Sequence, residues 1–469
     1  MALVESFSGI RGIYGRDLTE DTARRYAYCL CSFLKERLKR EPKIVIGHDT
    51  RESSSRLKDA IIDVFPFVVD AGIATTPALE LAVRDYKLDG GIIITASHNP
   101  KEYNGFKFLD SDGAVLRPKD ISEVIKRFNE IKNLTEEDFL NKCLHKESAI
   151  KPHKVEKKHN DLIERYNKYL LKIIGKQAIN LIKHRNLKII LDPNGGAAVT
   201  LKQIFEKIGV KVVEINNKAG EFKRKIEPNA ESLSYLKEEI KKNNADFAAG
   251  FDCDGDRVEL ILPDGSLVSG HYLVAMVADD ILSGIDSKNR IVVTNDAASG
   301  VLKEVCERYK AKIEEVEVGE INVVDSMLSH NSPIGGEGSA SGVIIPPSRC
   351  RDGALTLLFI LKIMAKKAKP LQQIVDGYPK YYNIREAVKF NPKELAKTRE
   401  KIKNHYLGKG FIIKETGGIT GGLKVIVSKK SFVWFRASKT EADMFRIIAD
   451  SDSEREAEKL LKEGVNLVK

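Results

Sequence analysis

Short apolar runs that end in polar turns recur along this chain. Three times a basic residue opens such a run: KIVIGHDTR (residues 43–51), KIILDPNGG (188–196) and RIVVTNDAASG (290–300). A helical-looking stretch follows each. A second apolar run then closes on a glycine-containing polar loop: TASHNPKEYNG, GFDCDGDR and GGEGSASG. Continuous apolar runs alternating with helices predict parallel strands buried on both faces. Three such units in series predict three related α/β domains. Beyond Thr19, apolar residues recur at 23, 26, 27, 30, 33, 34 and 38, the spacing of a helix that Thr19 caps.

The alternation sets boundaries too. Lysine and glutamate dominate the stretch from 119 to 172, with Pro152 inside it, which places a break near 155. VELILPDGSLV begins a hairpin-like pair after Arg257, and Lys369-Pro370 marks a third break. The expected division is 1–155, 156–256, 257–370 and 371–469. The last segment orders helix, strands and helix as a small α+β domain with a largely antiparallel sheet. In open α/β sheets ligands bind beyond the carboxyl ends of the strands, so the unusual loops are expected to line one shared cleft.

Composition narrows the class. The chain has 469 residues, 42% hydrophobic and 31% charged, as in soluble globular proteins of several domains. The most apolar stretch, 354–365, is too short to span a bilayer and contains Lys362, so it reads as a buried helix. MALVESFSGIRG shows no basic segment followed by an apolar one, so a cytoplasmic location is expected. The six cysteines are scattered without a Cys-x-x-Cys pair, and reduced thiols are expected, with Cys29 and Cys31 in a helix core. Net charge is +10, yet the lysines alternate with glutamates on helix faces and there is a single tryptophan. That pattern argues against nucleic acid and fits a small anionic substrate.

The loops carry the chemistry. In DCDGDR, Asp252, Asp254 and Asp256 alternate within five residues, and carboxylates so close repel unless a cation neutralises them. Oxygen ligands select a hard cation such as Mg2+. An EF-hand would need glycine in place of Arg257 and glutamate in place of Pro263; a solvated acidic turn is the plainer alternative. ITASHNP leaves an apolar run and at once presents Ser97, His98 and Asn99. Asn104-Gly105 then turns the chain back, so that Lys107 can face Ser97 across a hairpin. Serine, a metal-binding carboxylate cluster and lysine suit phosphoryl transfer; a polar turn is the alternative. In GGEGSASG, Glu337, Ser339 and Ser341 can hydrogen-bond vicinal sugar hydroxyls, or the loop is merely flexible. RASKTE places Arg436, Ser438, Lys439 and Thr440 at a strand end, as a phosphate cradle or a charged turn.

Together these loops resemble the α-D-phosphohexomutase family. SGIRGIYG is similar to its Gly-x-Arg-Gly opening, residues 95–100 to its Thr-x-Ser-His-Asn-Pro serine motif, and residues 252–257 to its Asp-x-Asp-Gly-Asp-Arg metal loop. The resemblance implies a heart-shaped, four-domain enzyme with phosphoserine at Ser97. Mg2+, one per active site, is then held by Asp252, Asp254, Asp256 and a phosphoserine oxygen. It further implies Arg11, Arg257 and His98 around the reacting phosphate, and Lys107 as general acid/base. Glu337 and Ser339 correspond to the sugar-binding pair, and Arg436, Ser438 and Thr440 to the distal phosphate site. Hexose phosphates are the implied substrates, hexose 1,6-bisphosphate the intermediate and activator, and monomer or homodimer the assembly. The chain departs from the family at Ala340 and Ser341, where many members have Gly and His, and at Ala437, Lys439 and Ala442 in the phosphate loop. VEVGEINVV lacks the lysine that several phosphomannomutases carry after Val-Gly. These departures bear on the sugar, whether glucosamine, mannose or glucose phosphate, rather than on the reaction. Two alternatives are a metal-dependent sugar-phosphate phosphatase and a non-catalytic sugar-phosphate-binding homologue.

Overall fold

The computed structural model describes residues 3–144, 154–286, 288, 290–338, 341–439 and 443–469. Each apolar run that opens a repeat is a strand: Lys43–His48, Lys188–Asp192 and Ile291–Asn295. Ile44, Val45 and Ile46 are all fully buried, because their strand lies in the parallel half of a mixed sheet, paired on both sides. The helix Glu20–Leu38 starts where the spacing predicts. Thr19 Oγ1 accepts from Thr22 N at 3.2 Å, and Ala23, Tyr26, Ala27, Leu30 and Leu34 face the core.

The first sheet has seven strands in the spatial order Val4–Ser6, Gly9–Ile13, Tyr103–Asp110, Gly90–Ile94, Lys43–His48, Phe67–Ile73, Lys154–Lys157. Gly90–Ile94 and Tyr103–Asp110 run antiparallel with Ile93 opposite Lys107, so the chain does double back after the serine loop. In the second sheet Phe247–Phe251 lies parallel to Lys188–Asp192 and antiparallel to Val258–Ile261. DCDGDR is therefore the turn of a hairpin with apolar arms. A three-stranded parallel sheet centres on Ile291–Asn295. The last sheet, five strands from Tyr382–Lys389 to Met444–Ser451, is entirely antiparallel.

Sheet membership and the expected segment ends do not coincide everywhere. Lys154–Lys157 straddles 155 and pairs with Phe67–Ile73. Val258–Ile261 and Leu267–Val268 extend the second sheet, because the hairpin returns beside the strand it leaves. By compactness the chain forms two units, Met1–Leu267 with Pro347–Ala368, and Val268–Pro346 with Lys369–Lys469. The buried helix expected at 354–365 is Gly353–Lys367; it belongs to the first unit, where Tyr166 donates to its cap Asp352 at 2.8 Å. No helix among the described residues is long and apolar enough to cross a membrane.

Candidate active site

In the first unit the serine loop is clamped from behind. Ser97 has φ +51, a left-handed conformation that a non-glycine residue holds only when its surroundings impose it. Arg51 is the main constraint. Its guanidinium donates to the carbonyls of Ser97 (2.9 Å), Asn99 (2.7 Å), Pro100 (2.5 Å) and Tyr103 (3.0 Å), while its Nε donates to Asp49 at 3.0 Å. Thr95 Oγ1 accepts from Ser97 N at 2.8 Å. The strained turn aims Ser97 Oγ at Asp252, to which it donates at 3.2 Å across 155 residues of sequence. His98 Nδ1 lies 3.5 Å from the same oxygen.

Asp252, Asp254 and Asp256 are each 0% exposed, and one oxygen of each lies within 4.8 Å of the others. Gly255, at φ +68, makes the turn that alternation of the three requires. Gly196 has no room for a Cβ, which would sit 2.7 Å from Cys253 O; the backbone of that segment packs on the loop, and Ala197 N donates to Cys253 O at 2.7 Å. Burying three carboxylates together is costly unless cations oppose them. Lys107 Nζ donates to Asp254 at 2.7 Å and to Asp256 at 3.2 Å, and Arg351 donates to Asp256 at 3.1 Å. Thr76 Oγ1 donates to Asp254 at 2.7 Å. Burial and its two acidic neighbours push the Asp252 carboxyl well above its ordinary range. Burial acts the same way on Asp256, but Lys107, Arg351 and Arg257 outweigh it and hold that group far below.

The donor set fits a hard cation. Asp254 Oδ1 and Asp256 Oδ1 are buried and accept no hydrogen bond, so two oxygens of the triad are left for a ligand. Arg257 stands 3.9 Å from Asp252 and 3.8 Å from Asp256. Its charge, then burial and Arg11, lower His98 to about 2, which makes its imidazole neutral near pH 7. Burial, followed by Arg257, depresses the Arg11 guanidinium in the same place. Of the residues singled out in the sequence, Ser97, His98, Lys107, Arg11, Arg257 and the three aspartates thus converge in this unit. Lys107 turns toward the aspartates.

The second unit gathers the rest around one turn. Glu337, just after Ile334–Gly335, accepts from Gly319 N at 2.9 Å and Asn295 at 3.3 Å. Arg436, on Ser431–Ala437, donates to Val318 O at 3.2 Å and lies 5.5 Å over the Trp434 ring. Ser438 N donates to Met444 O at 2.8 Å, and Lys439 pairs with Glu317. Ser339 and Thr440 lie outside the described residues.

Sequence reasoning missed Arg51, Thr76 and Arg351, and it marked VEVGEINVV only for its lack of a lysine, not for the contacts of the turn at 317–319. Arg51 closes the first repeated run, and Arg351 opens the RDGAL stretch; both were visible as letters without a partner.

The chain matches the phosphoglucomutase/phosphomannomutase alpha/beta/alpha domain I over residues 5–135, domain II over 164–265 and domain III over 269–381. It is 33% identical to a phosphoglucomutase/phosphomannomutase of Thermococcus kodakarensis, covering 98% of this chain and 97% of the relative. A probable phosphoglucosamine mutase of Pyrococcus horikoshii is 29% identical, over 98% and 97%. Among solved structures, a putative phosphomannomutase of Thermus thermophilus superposes with a TM-score of 0.77 at 25% identity, covering 99% of this chain and 98% of the other. Fold and alignment thus define an isomerase that moves phosphoryl groups on sugars. The chain belongs to the α-D-phosphohexomutase family.

Proposed function

We propose that this phosphohexomutase exchanges the 6-phosphate and 1-phosphate forms of a hexose, with Ser97 as the phosphoryl carrier. The observation that carries the reading is the 3.2 Å approach of Ser97 Oγ to Asp252 within a buried aspartate triad. Phosphoserine 97 gives its phosphoryl group to the free hydroxyl of a hexose monophosphate. The phosphorus–Oγ bond breaks as the sugar ester forms, leaving hexose 1,6-bisphosphate bound. After the intermediate turns around, Ser97 Oγ takes back the other phosphoryl group. Lys107, 2.7 Å from Asp254, shuttles the hydroxyl proton. Arg11 and Arg257 face the charge of the moving group, and neutral His98 offers a hydrogen bond without a competing charge.

Mg2+ bound by Asp252, Asp254, Asp256 and the oxygen on Ser97 supplies positive charge against the phosphoryl oxygens. Asp254 Oδ1 and Asp256 Oδ1 support that assignment. Glu337 and Ser339 hold sugar hydroxyls, and Arg436, Ser438, Lys439 and Thr440 hold the phosphate that is not reacting. Each of four segments therefore supplies one loop, because one substrate binds in two opposite orientations. Glucosamine, mannose and glucose phosphates in the cytoplasm are the substrate class, with the matching 1,6-bisphosphate as activator.

Purified protein assayed with Mg2+ against glucosamine 6-phosphate, mannose 1-phosphate and glucose 1-phosphate, each with a trace of its bisphosphate, tests the proposal. Interconversion without phosphate release is expected. Inorganic phosphate appearing as fast as substrate disappears overturns it in favour of hydrolysis.

A further inference from the structure

The turn Glu317-Val318-Gly319 follows strand Lys312–Val316 and engages both ligand loops of the second unit. Three successive residues offer a carboxylate, a carbonyl and an N–H. Glu317 pairs with Lys439, Val318 O accepts from Arg436 at 3.2 Å, and Gly319 N donates to Glu337 at 2.9 Å. The Glu317 carboxylate is enclosed from another side by Gly417, where a Cβ would lie 2.2 Å from it. Its side chain is 18% exposed and that of Lys439 27%, so the pair is only partly screened by water.

This carboxylate sits among three cations, Lys439, Arg436 and Arg446. Arg436 and Arg446 face each other across adjacent strands, and like charges so placed repel. Burial and Arg446 depress the Arg436 guanidinium, and Glu317 opposes both. A phosphate offers the same kind of oxygen acceptor to the same donors. Two anions crowded onto one set of donors repel each other, so an arriving phosphate and Glu317 compete for Lys439.

We propose that Glu317 is an internal counter-anion of the phosphate loop, displaced from Lys439 when the phosphate of a sugar binds. This rests on the reading of Arg436, Ser438 and Lys439 as holding the non-reacting phosphate. That loop must release one phosphate and accept the other within each turnover. A resident carboxylate lowers affinity for each and eases the exchange, because Lys439 passes to Glu317 instead of being left unpaired.

Titration calorimetry of the full chain with inorganic phosphate and with glucose 6-phosphate, at constant ionic strength, tests the proposal. Glu317→Gln keeps the shape and removes the charge; Kd is expected to tighten about 10-fold, with KM and kcat both falling as release slows. In a Lys439→Met background the same substitution is expected to change Kd by less than about 3-fold, since the contested donor is gone. A Kd in Glu317→Gln that stays the same or weakens overturns the proposal, because Glu317 then only supports the loop. Glu317→Asp, which retains the charge, separates loss of charge from loss of fold: it is expected to bind more weakly than Glu317→Gln, and equal tightening in both overturns the proposal. Arg436→Ala addresses the underlying reading separately. Weaker phosphate binding there supports the cradle, and unchanged binding in both Arg436→Ala and Lys439→Met removes it, whatever Glu317 does.

Discussion

The two units hold their functional side chains in contrasting ways. Around Ser97 three buried cations are held by buried carboxylates: Arg51 by Asp49, Lys107 by Asp254 and Asp256, Arg351 by Asp256. Around Glu337 and Arg436, three of the groups lean on a single turn, and the ion pair of Lys439 with Glu317 is partly open to water. The first arrangement cannot rearrange without stranding a buried ion, whereas the second can exchange partners. Phosphoryl transfer gains from dipoles and charges set in place before the reaction. Recognition of a substrate that must bind both ways round gains from donors that let go. The chain's departures from the family pattern, Ala437 and Lys439 among them, fall in the exchangeable region, while the serine and aspartate motifs match throughout.

Removing the carrier is the strongest way to break this contrast. Ser97→Ala is expected to lower turnover by at least about 10⁴-fold while hexose phosphate binding stays within about 3-fold, because the second unit is untouched. Measurable mutase activity in that variant, by coupled assay, ends the carrier assignment. Next comes the triad. Asp254→Asn is expected to cost about 10²- to 10³-fold in kcat and to raise the Mg2+ concentration for half-activity. An unchanged magnesium titration, after chelation and readdition, removes Asp254 as a ligand.

Stability sharpens the same comparison. Arg51→Met leaves Asp49 without its guanidinium and takes one donor from each of four carbonyls, an expected loss of about 3–5 kcal/mol. A melting temperature within about 1 °C of the parent would show that the serine loop does not depend on its clamp.

The smallest effect is on pH, where the units are expected to respond with opposite sign. His271, in the second unit, is lowered to about 4 by burial and the Arg385 charge. Between about 6.5 and 4 the unfolded chain therefore binds its proton more tightly, and this contribution to stability is lost as pH falls. Asp352, in the first unit, is raised to about 6 by burial. Between about 4 and 6 the folded chain binds that proton more tightly, so its contribution improves as pH falls and is lost as pH rises through 6. Each is worth roughly 3 kcal/mol at most. Unfolding of His271→Asn and Asp352→Asn at pH 7 and pH 5 reads them separately: the first substitution is expected to reduce acid sensitivity and the second to increase it. Parallel profiles for parent and both variants contradict the assignment.

Contiguous patterns were the legible part. The three strands that open the repeats, the Thr19 cap, the buried helix Gly353–Lys367 and the antiparallel last sheet all followed from periodicity and turn residues. Ser97 and the aspartate triad were equally plain, because each motif lies within a few residues of one loop. Arg51, Thr76 and Arg351 were not, since an arginine or threonine is recognisable as a ligand only beside its partner. Lys107 shows the limit in one residue: the hairpin that returns it was readable, but not its choice of Asp254 and Asp256.

Taken alone, the amino-acid order determined which segments are strands, where the chain turns and which loops carry hydroxyl, carboxylate and cation, because those properties depend on near neighbours. Tertiary structure alone decided that the Ser97 hydroxyl meets Asp252, that Arg51 holds the strained turn, and that Glu317 answers Lys439. Those contacts join positions from 46 to 155 residues apart, and no local rule of periodicity or propensity reaches so far.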